Sequence, residues 1–306
     1  MPVHDIPALL GPTRTASVAA LSTVVGVRSI GRWIASGRLI RLHPGWVTVP
    51  EFADDWTVRA HAATAYVGGP LSHTSALAAH GIVDTGGARL HVCVPSERRV
   101  RSSRSLRVHR SRIPFEVLQA RGLPATSVAR ALVDTWGDAH AVRAVRGHGG
   151  AAREAVLRAT RQRLVTVRQL DDHLQVRPEL PGRSAFRELL VLIAGGCESY
   201  LEIYGVRHVL DVPGLPPCVQ QHRLRLPSGG VRLDAAWPEV KLAVELDGAA
   251  FHGSSEARER DLRRDAALAA LGWVVLRFSY RRLMREPEAC RAEILAAYRQ
   301  RLSVVR

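Results

Sequence analysis

Two β-strand-like runs lie close together in the last third of the chain, at residues 231–237 and 242–247. Both runs are mostly apolar, and the four residues between them suffice only for a tight connection, which predicts a β-hairpin. The simplest register pairs Trp237 with Leu242. The second run is apolar enough to be a central strand, so a charged side chain within it needs a chemical reason to be there.

Three carboxylates converge on one face of this predicted hairpin. The register places Asp234 opposite Glu245, with Cβ atoms about 5 Å apart, and Asp247 points to the same face as Glu245. Opposed carboxylates in an apolar sheet are costly unless a cation neutralises them. Oxygen ligands without cysteine favour Mg²⁺ or Mn²⁺ over zinc. Such an ion activates water and stabilises charge on a phosphodiester, so we expect a metal site formed by these three residues.

A purely structural role is the alternative for each of these acids. Asp234 and Asp247 can be turn or strand-end residues, and Glu245 can be the partner of an arginine. The apolar run around Glu245 favours the metal site, because an acid within such a strand needs a chemical reason to be there.

Further candidates lie outside the hairpin. Glu202 forms a capping box with Ser199, which explains it fully, although it could also face the metal. His252 follows the acidic strand closely and is a candidate general acid or base, but a lone histidine is more often structural. Arg264 lies three residues after Asp261 on a predicted helix, where the two could simply form a surface ion pair.

Positive charge is concentrated in the first part of the chain. The net formal charge is +15, and residues 1–184 contain 25 arginines and 13 acidic residues, whereas residues 185–306 contain 18 basic and 15 acidic residues. This excess implies an anionic partner, most commonly nucleic acid. Residues 98–112 contain seven arginines and no acid, and phosphate contacts or a solvated basic loop explain this run equally well. The DNA-binding candidates within it are Arg98, Arg99, Arg101 and Arg104.

The pattern of residues 16–49 is typical of a winged helix-turn-helix domain. Apolar residues at helical spacing predict one short helix before Gly26 and a second between Gly26 and Gly37. Two β-rich runs then flank Pro44 and Gly45, which predicts the wing. An ordinary helical hairpin with exposed arginines is the alternative. The arginines expected on the exposed face of the second helix and at the hairpin, where they would contact DNA, are Arg28, Arg32 and Arg38.

The remaining sequence defines the domain boundaries. We expect a winged helix at residues 1–56, a basic mixed α/β domain at 57–180 and a C-terminal domain at 185–306, with residues 177–182 as the best linker candidate. The middle domain contains no catalytic constellation. Its histidines lack ligand spacing, which favours surface or capping roles over metal binding; they are His73, His80, His91 and His109.

Composition excludes several other classes of protein. No apolar run approaches the roughly 20 residues needed to cross a bilayer, and the first residues lack the build of a signal peptide. We therefore expect a cytoplasmic protein without a membrane partner. The cysteines are too far apart, and too far from histidine ligands, to indicate a zinc site or a disulfide framework. They are expected to be free and mostly buried, and they are Cys93, Cys197, Cys218 and Cys290.

The motifs of the C-terminal domain resemble a known nuclease family. They are Ser199-x-x-Glu202, Asp234, Glu245-x-Asp247-Gly248, Phe251-His252, Asp261-x-x-Arg264, Gly272-Trp273 and Leu276-Arg277-Phe278. Together they are similar to the very-short-patch-repair-endonuclease-like domain of the PD-(D/E)XK nuclease superfamily. The resemblance implies a mixed sheet flanked by helices and Mg²⁺-dependent cleavage of DNA. It implies Asp234 and Glu245 as metal ligands, Glu202 as an outlying helix acid, and His252 near the attacking water.

One residue departs from the superfamily pattern. Asp247 stands where the superfamily has a lysine two residues after the glutamate. The role of that lysine is therefore unfilled. His252 or Arg264 would have to orient the water or stabilise the transition state.

The first half of the chain resembles AbiEi-type antitoxins. Residues 19–49, 71–78 and 122–134 carry this resemblance through their order and spacing. The resemblance implies an operator-binding repressor in which the winged-helix arginines contact DNA. It also implies a cognate toxin as a further candidate partner, and the sequence leaves the oligomeric state open.

Together these patterns predict a modular α/β (α+β) protein that binds DNA with its basic front part and hydrolyses phosphodiesters with Mg²⁺ or Mn²⁺ at its C-terminal end. The alternative is a non-enzymatic, antitoxin-like repressor whose nuclease domain is degenerate. An RNA-directed activity is less favoured, because no aromatic stacking platform is evident.

Overall fold

A computed structural model describes residues 5–84, 89–142, 148–197, 203–205, 208–226, 229–247 and 255–305. The chain divides into two compact units, Met1–Arg183 and Ser184–Arg306. Helices and strands are mixed throughout both units, so the predicted α/β class is confirmed.

The first unit begins with short helices and a three-stranded sheet in the order β1-β3-β2. Ser17 caps the second helix, because its Oγ accepts the amide hydrogen of Ala20. Gly45 adopts φ +74° in the turn between β2 and β3, a conformation that L side chains rarely adopt. The helix, turn, helix, hairpin order is the predicted one. The elements are α1 (Ile6–Leu9), β1 (Ala16–Ser17), α2 (Val18–Ser22), α3 (Val27–Ala35), β2 (Ile40–His43) and β3 (Trp46–Thr48).

The rest of this unit packs helices around two strand pairs. β4 and β5 are parallel, β6 and β7 are antiparallel, and Leu71 bridges to Val92 and Ala125 so that it joins both pairs. The elements are α4 (Trp56–Val67), α5 (His73–Ala79), β4 (Leu90–Pro95), β5 (Leu106–Ser111), β6 (Leu118–Ala120), β7 (Leu123–Ala125), α6 (Val128–His140), α7 (His148–Arg161) and α8 (Val167–Gln175).

Residues 177–182 pack against α6. Arg177 is buried, with Nη2 3.1 Å from Asp134 Oδ1, and the indole of Trp136 donates to the carbonyl of Gly182 over 3.0 Å. The segment predicted as a linker is therefore packed on the first unit, because this arginine and this backbone have partners there. The division between the units falls directly after this segment.

The second unit contains a four-stranded mixed sheet in the order β11-β10-β9-β8, in which only β10 and β11 are parallel. Apolar clusters lie on both faces. One joins Trp237 and Val244 to Ile294, and the other joins Ala243 to Leu268. Helices therefore flank the sheet, as predicted. The elements are α9 (Arg183–Ala194), β8 (Val219–Leu226), β9 (Gly229–Trp237), β10 (Leu242–Asp247), α10 (Ser255–Ala270), β11 (Val274–Ser279), α11 (Tyr280–Arg285) and α12 (Pro287–Val305).

The expectations from composition concerned membrane-spanning segments and the state of the cysteines. Among the described residues, no helix has both the length and the apolar character to cross a membrane. The cysteines are free as predicted: Cys93, Cys197 and Cys290 are buried, and Cys218 is half-buried.

Candidate functional site

The acidic hairpin forms with the predicted register. β9 and β10 are antiparallel, and Trp237 pairs with Leu242, Ala236 with Ala243, and Ala235 with Val244. Pro238 to Val240 form a single turn between the strands, and Lys241 completes the connection with φ +49°. The strands on which Asp234 and Glu245 lie are therefore neighbours in the centre of the sheet.

Asp234 is fixed against the neighbouring strand. Its Oδ2 accepts the backbone amide of Leu246 over 2.9 Å. This bond keeps one oxygen of the Asp234 carboxylate beside β10, at the residue next to Glu245. The prediction that Asp234 lies beside Glu245 agrees with this contact.

Glu245 is held by two arginines from different elements. Its Oε2 accepts from Arg264 Nη2 on α10 over 2.8 Å and from Arg277 Nε on β11 over 3.0 Å. Arg277 also donates to Asp265. Burial disfavours the charge of Arg277, but its hydrogen bonds to Asp265 and Glu245 prevail and raise its pKa. These contacts match the alternative interpretation, in which Glu245 is the partner of an arginine.

The second carboxylate oxygen of Glu245 differs from the first. Oε1 is buried and has no hydrogen-bond partner among the described residues. A buried carboxylate oxygen without a donor is costly, because it has lost water and gained nothing in exchange. A hard cation bound by Oε1 and the Asp234 carboxylate would remove that cost, so these residues fit Mg²⁺ or Mn²⁺.

The other predicted site residues are Arg264, Asp247, Glu202 and His252, and the structure describes them to different extents. Arg264 is at the site, with one third of its side chain exposed. Asp247 ends β10 and pairs with Ser279 in the sheet register, but its side chain is outside the described part of the molecule. Glu202 and His252 also lie outside the described residues. Arg277 was expected only as part of the motif Leu276-Arg277-Phe278. Its contact with Glu245, which is its register partner in the sheet, was not predicted.

The predicted DNA-contacting arginines are exposed. Arg28 and Arg32 lie on α3, and Arg38 follows this helix before β2. Arg32 donates to Ser29, and the Arg38 guanidinium lies 5.9 Å from the Trp33 ring centroid. The helix buries Ile30 on the opposite side, so its arginine face is open to solvent.

Among the described residues, the arginines of the basic segment at residues 98–112 include two with structural contacts and three that are free of them. Arg98 donates to the Val67 carbonyl, and Arg110 donates to the carbonyls of Arg98 and Val100, so both hold the segment in place. The remaining candidates are exposed and have no hydrogen-bond or ion-pair partner within the described ranges; they are Arg99, Arg101 and Arg104. These three side chains are available to a phosphate.

A second cluster in the first unit was missed by sequence reasoning. One ring nitrogen each from His73, His91 and His109 lies within 4.8 Å of the others. The expectation that these histidines lack the arrangement of metal ligands is therefore wrong, because the pairing of β4 with β5 and the position of α5 bring them together from distant positions. The sequence did contain a signal for this cluster. His91 and Cys93 are two residues apart on β4, Arg107 and His109 are two residues apart on β5, and the two pairs lie opposite each other on one face of the paired strands. His80 lies elsewhere, bonded to Thr126.

These histidines share a burial-driven shift. Burial, followed by the charge of Arg107, lowers the pKa of His91 to about 4. Burial, followed by repulsion from the neighbouring imidazoles, lowers the pKa of His109 to about 2, and burial likewise lowers that of His73 well below its usual value. All three rings are therefore neutral at neutral pH.

Comparison with known proteins agrees with the geometry of the second unit. Residues 221–298 match the model of a restriction-endonuclease-like family, REase_MTES_1575. This range includes Asp234, Glu245, Arg264 and Arg277. The sheet of the second unit therefore fits a restriction-endonuclease-like fold.

Three curated relatives are also similar to the chain. The uncharacterized proteins MT2308 and Rv2248, from two strains of Mycobacterium tuberculosis, are each 27% identical over 264 residues, covering 85% of this chain and 93% of their own. An uncharacterized Haemophilus influenzae protein is 47% identical over 51 residues, which is 17% of this chain and 41% of that protein. The crystal structure of the M. tuberculosis RV2827C protein aligns with 74% of this chain and 90% of its own, with a TM-score of 0.43 and 15% identity.

Proposed function

We propose that the protein is a DNA-binding nuclease whose C-terminal domain hydrolyses phosphodiester bonds in the presence of Mg²⁺ or Mn²⁺. The observation that carries this proposal is the buried, unpartnered Oε1 of Glu245, on a central strand of the restriction-endonuclease-like domain and beside Asp234. A buried carboxylate oxygen without a hydrogen-bond partner calls for an explanation, and a bound ion is one of the recognised explanations.

In this proposal Glu245 and Asp234 hold the cation, and Asp247 is the third ligand expected from the sequence. The ion, when bound, activates water and stabilises the charge that develops on the phosphodiester. Arg264 and Arg277 fix the Glu245 carboxylate through Oε2, which leaves Oε1 for the cation. The exposed third of Arg264 can also bind a phosphate oxygen of the substrate. His252 remains our candidate for proton transfer.

We propose that the first unit binds the DNA. We propose that residues 1–56 form a winged helix-turn-helix domain in which α3 enters a groove, with Arg28, Arg32 and Arg38 at the backbone or base edges. Arg99, Arg101 and Arg104 then add phosphate contacts that carry no sequence information themselves. None of the arginines in these two sets forms an ion pair with another described residue.

The first test is a plasmid-nicking assay with the full chain. Protein freed of metal by chelation is incubated with supercoiled DNA, with and without Mg²⁺ or Mn²⁺. We expect nicking that requires the metal and is reduced at least about 100-fold in Glu245→Gln, since one charged ligand is lost while the shape is kept. The matched control is Glu259→Gln, because Glu259 is an exposed glutamate on α10 that pairs only with Arg263 among the described contacts.

Folding must be separated from chemistry in this test. Circular dichroism and thermal unfolding of both variants show whether Glu245→Gln is folded. Cleavage by a folded Glu245→Gln variant at the wild-type rate would contradict the proposal, as would metal-independent cleavage.

The second candidate is a non-enzymatic DNA-binding regulator with a degenerate nuclease domain. The observation that favours it is the double arginine pairing of Glu245 Oε2, which neutralises the carboxylate without a metal. Sequence-specific retardation of DNA by the folded wild-type protein, without cleavage in either metal, would select this candidate.

A further inference from the structure

The three clustered histidines of the first unit come from three different elements. His73 begins α5, His91 lies on β4 and His109 on β5. His91 Nδ1 is 3.0 Å from His109 Nε2, and the rings of His73 and His109 stack with centroids 3.6 Å apart. We propose that these histidines bind a late first-row transition metal ion of the Zn²⁺ class, at a site separate from the carboxylate site.

The contact between His91 and His109 already has the geometry of a shared site. Two neutral imidazole nitrogens that face each other at 3.0 Å can share one proton, with one ring donating and the other accepting. If that proton moved to the other nitrogen of its own ring, both facing nitrogens would offer their lone pairs to a metal ion between them. The remaining ring lies within reach, since one nitrogen of His73 is within 4.8 Å of both. Zinc–nitrogen bonds are about 2.0–2.1 Å long, so binding also requires the His73 ring to turn from its stacked position over His109 toward the ion.

The surroundings hold these rings in position. His73 Nδ1 lies 3.1 Å from Ser72 Oγ, and a proton on Nδ1 shared with this hydroxyl leaves the Nε2 lone pair for a metal. The amide of His91 donates to Ser75 Oγ, which ties β4 to α5. His73 itself adopts φ +50°, a left-handed conformation that is strained for a residue with a Cβ. The fold thus accepts backbone strain at the residue that completes the cluster.

A carboxylate is available as a further ligand or support. Asp138 Oδ2 on α6 is 3.9 Å from His73 Nε2 and 3.1 Å from Arg107 Nη1. Three histidines with a carboxylate or water in the fourth position form a known type of zinc site.

The donor atoms determine which metal is expected. Imidazole nitrogens favour zinc, copper, nickel and cobalt, whereas Mg²⁺ and Mn²⁺ favour oxygen ligands. The histidine cluster and the Asp234–Glu245 pair therefore differ in selectivity as well as in position. The bound ion would clamp α5 to the β4–β5 pair and stabilise the first unit.

The test is a titration of the chelator-treated full chain with Zn²⁺, followed by calorimetry and thermal unfolding. We expect binding of a single tight equivalent and a higher midpoint of unfolding. Cobalt(II) in place of zinc should give the absorption of a nitrogen-ligated, low-symmetry site. His91→Ala and His109→Ala should each weaken binding by more than about tenfold.

Two controls assign the ion to this cluster. His148→Ala replaces an exposed histidine of the same unit and should bind zinc like the wild type. Glu245→Gln should also retain tight zinc binding, because it alters only the carboxylate site. The proposal is overturned if the wild type binds no zinc, if the folded double variant His91→Ala/His109→Ala binds it equally well, or if Glu245→Gln abolishes binding.

Discussion

The backbone amide of Leu246 donates to the carboxylate of Asp234 across 2.9 Å. This bond links the two central strands of the second unit through a side chain that also lies beside Glu245. Asp234 therefore has a structural task in addition to its proposed role as a metal ligand, and suitable substitutions separate the two.

Asp234→Asn retains an oxygen that can accept from Leu246 but loses the negative charge. We expect a change of less than about 1 kcal/mol in the free energy of unfolding, as for a preserved neutral hydrogen bond. Metal-dependent nicking should fall at least about 100-fold, because the cation loses a charged ligand. Urea unfolding and the nicking assay measure the two effects on the same preparation. Asp234→Ala, which removes the acceptor too, should be less stable than Asp234→Asn; equal stability would show that the bond to Leu246 contributes nothing.

Glu245→Ala leaves the guanidinium groups of Arg264 and Arg277 without their shared partner. Each arginine is one third exposed, so solvent screens part of the loss and we expect destabilisation by about 1–3 kcal/mol. The same change at exposed Glu259 should cost less than about 0.5 kcal/mol. Urea denaturation followed by circular dichroism compares the two variants. A Glu245→Ala protein as stable as the wild type would mean that the arginine pairs only offset the desolvation of the glutamate.

Asp134 lies between two buried arginines in the first unit. Arg130 Nε donates to its Oδ2 over 2.8 Å, and Arg177 Nη2 is 3.1 Å from its Oδ1. Asp134→Ala leaves two buried cations without this partner, and we expect a loss of about 3–5 kcal/mol in the free energy of unfolding. The control is Asp172→Ala, which alters an exposed acid on α8. Thermal unfolding of both variants is the measurement, and comparable midpoints would contradict the importance of this buried network.

Arg28 and Arg32 are predicted to contact DNA from α3. Each alanine substitution should weaken binding and, where the arginine contacts a phosphate, lower the slope of log affinity against log salt by about 0.9. Fluorescence anisotropy with a labelled duplex at several salt concentrations gives both quantities. Arg299→Ala removes an exposed arginine of the second unit and should change neither. If Arg299→Ala and the α3 variants weaken binding equally, the contact is non-specific and α3 is not the reading helix.

Local patterns were sufficient for parts of the fold. Apolar alternation and a connection too short for anything but a turn fixed the pairing of Trp237 with Leu242, and the structure confirms it. Helical spacing around Gly26 and the turn at Gly45 likewise indicated α3 and the hairpin after it. These features depend on residues a few positions apart, so their physical causes can be read along the chain.

The environment of each site was decided by contacts between distant residues. The sequence placed an acid on a central strand, but only the parallel pairing of β10 with β11 brought Arg277 beside Glu245, and only the position of α10 added Arg264. The meeting of His73, His91 and His109 also depends on strand order and helix placement. Side-chain period tells which face a residue occupies, whereas its neighbours on that face depend on how the elements pack. The sequence by itself therefore determined the acidic hairpin and the basic helix, and the tertiary structure determined which side chains complete each cluster.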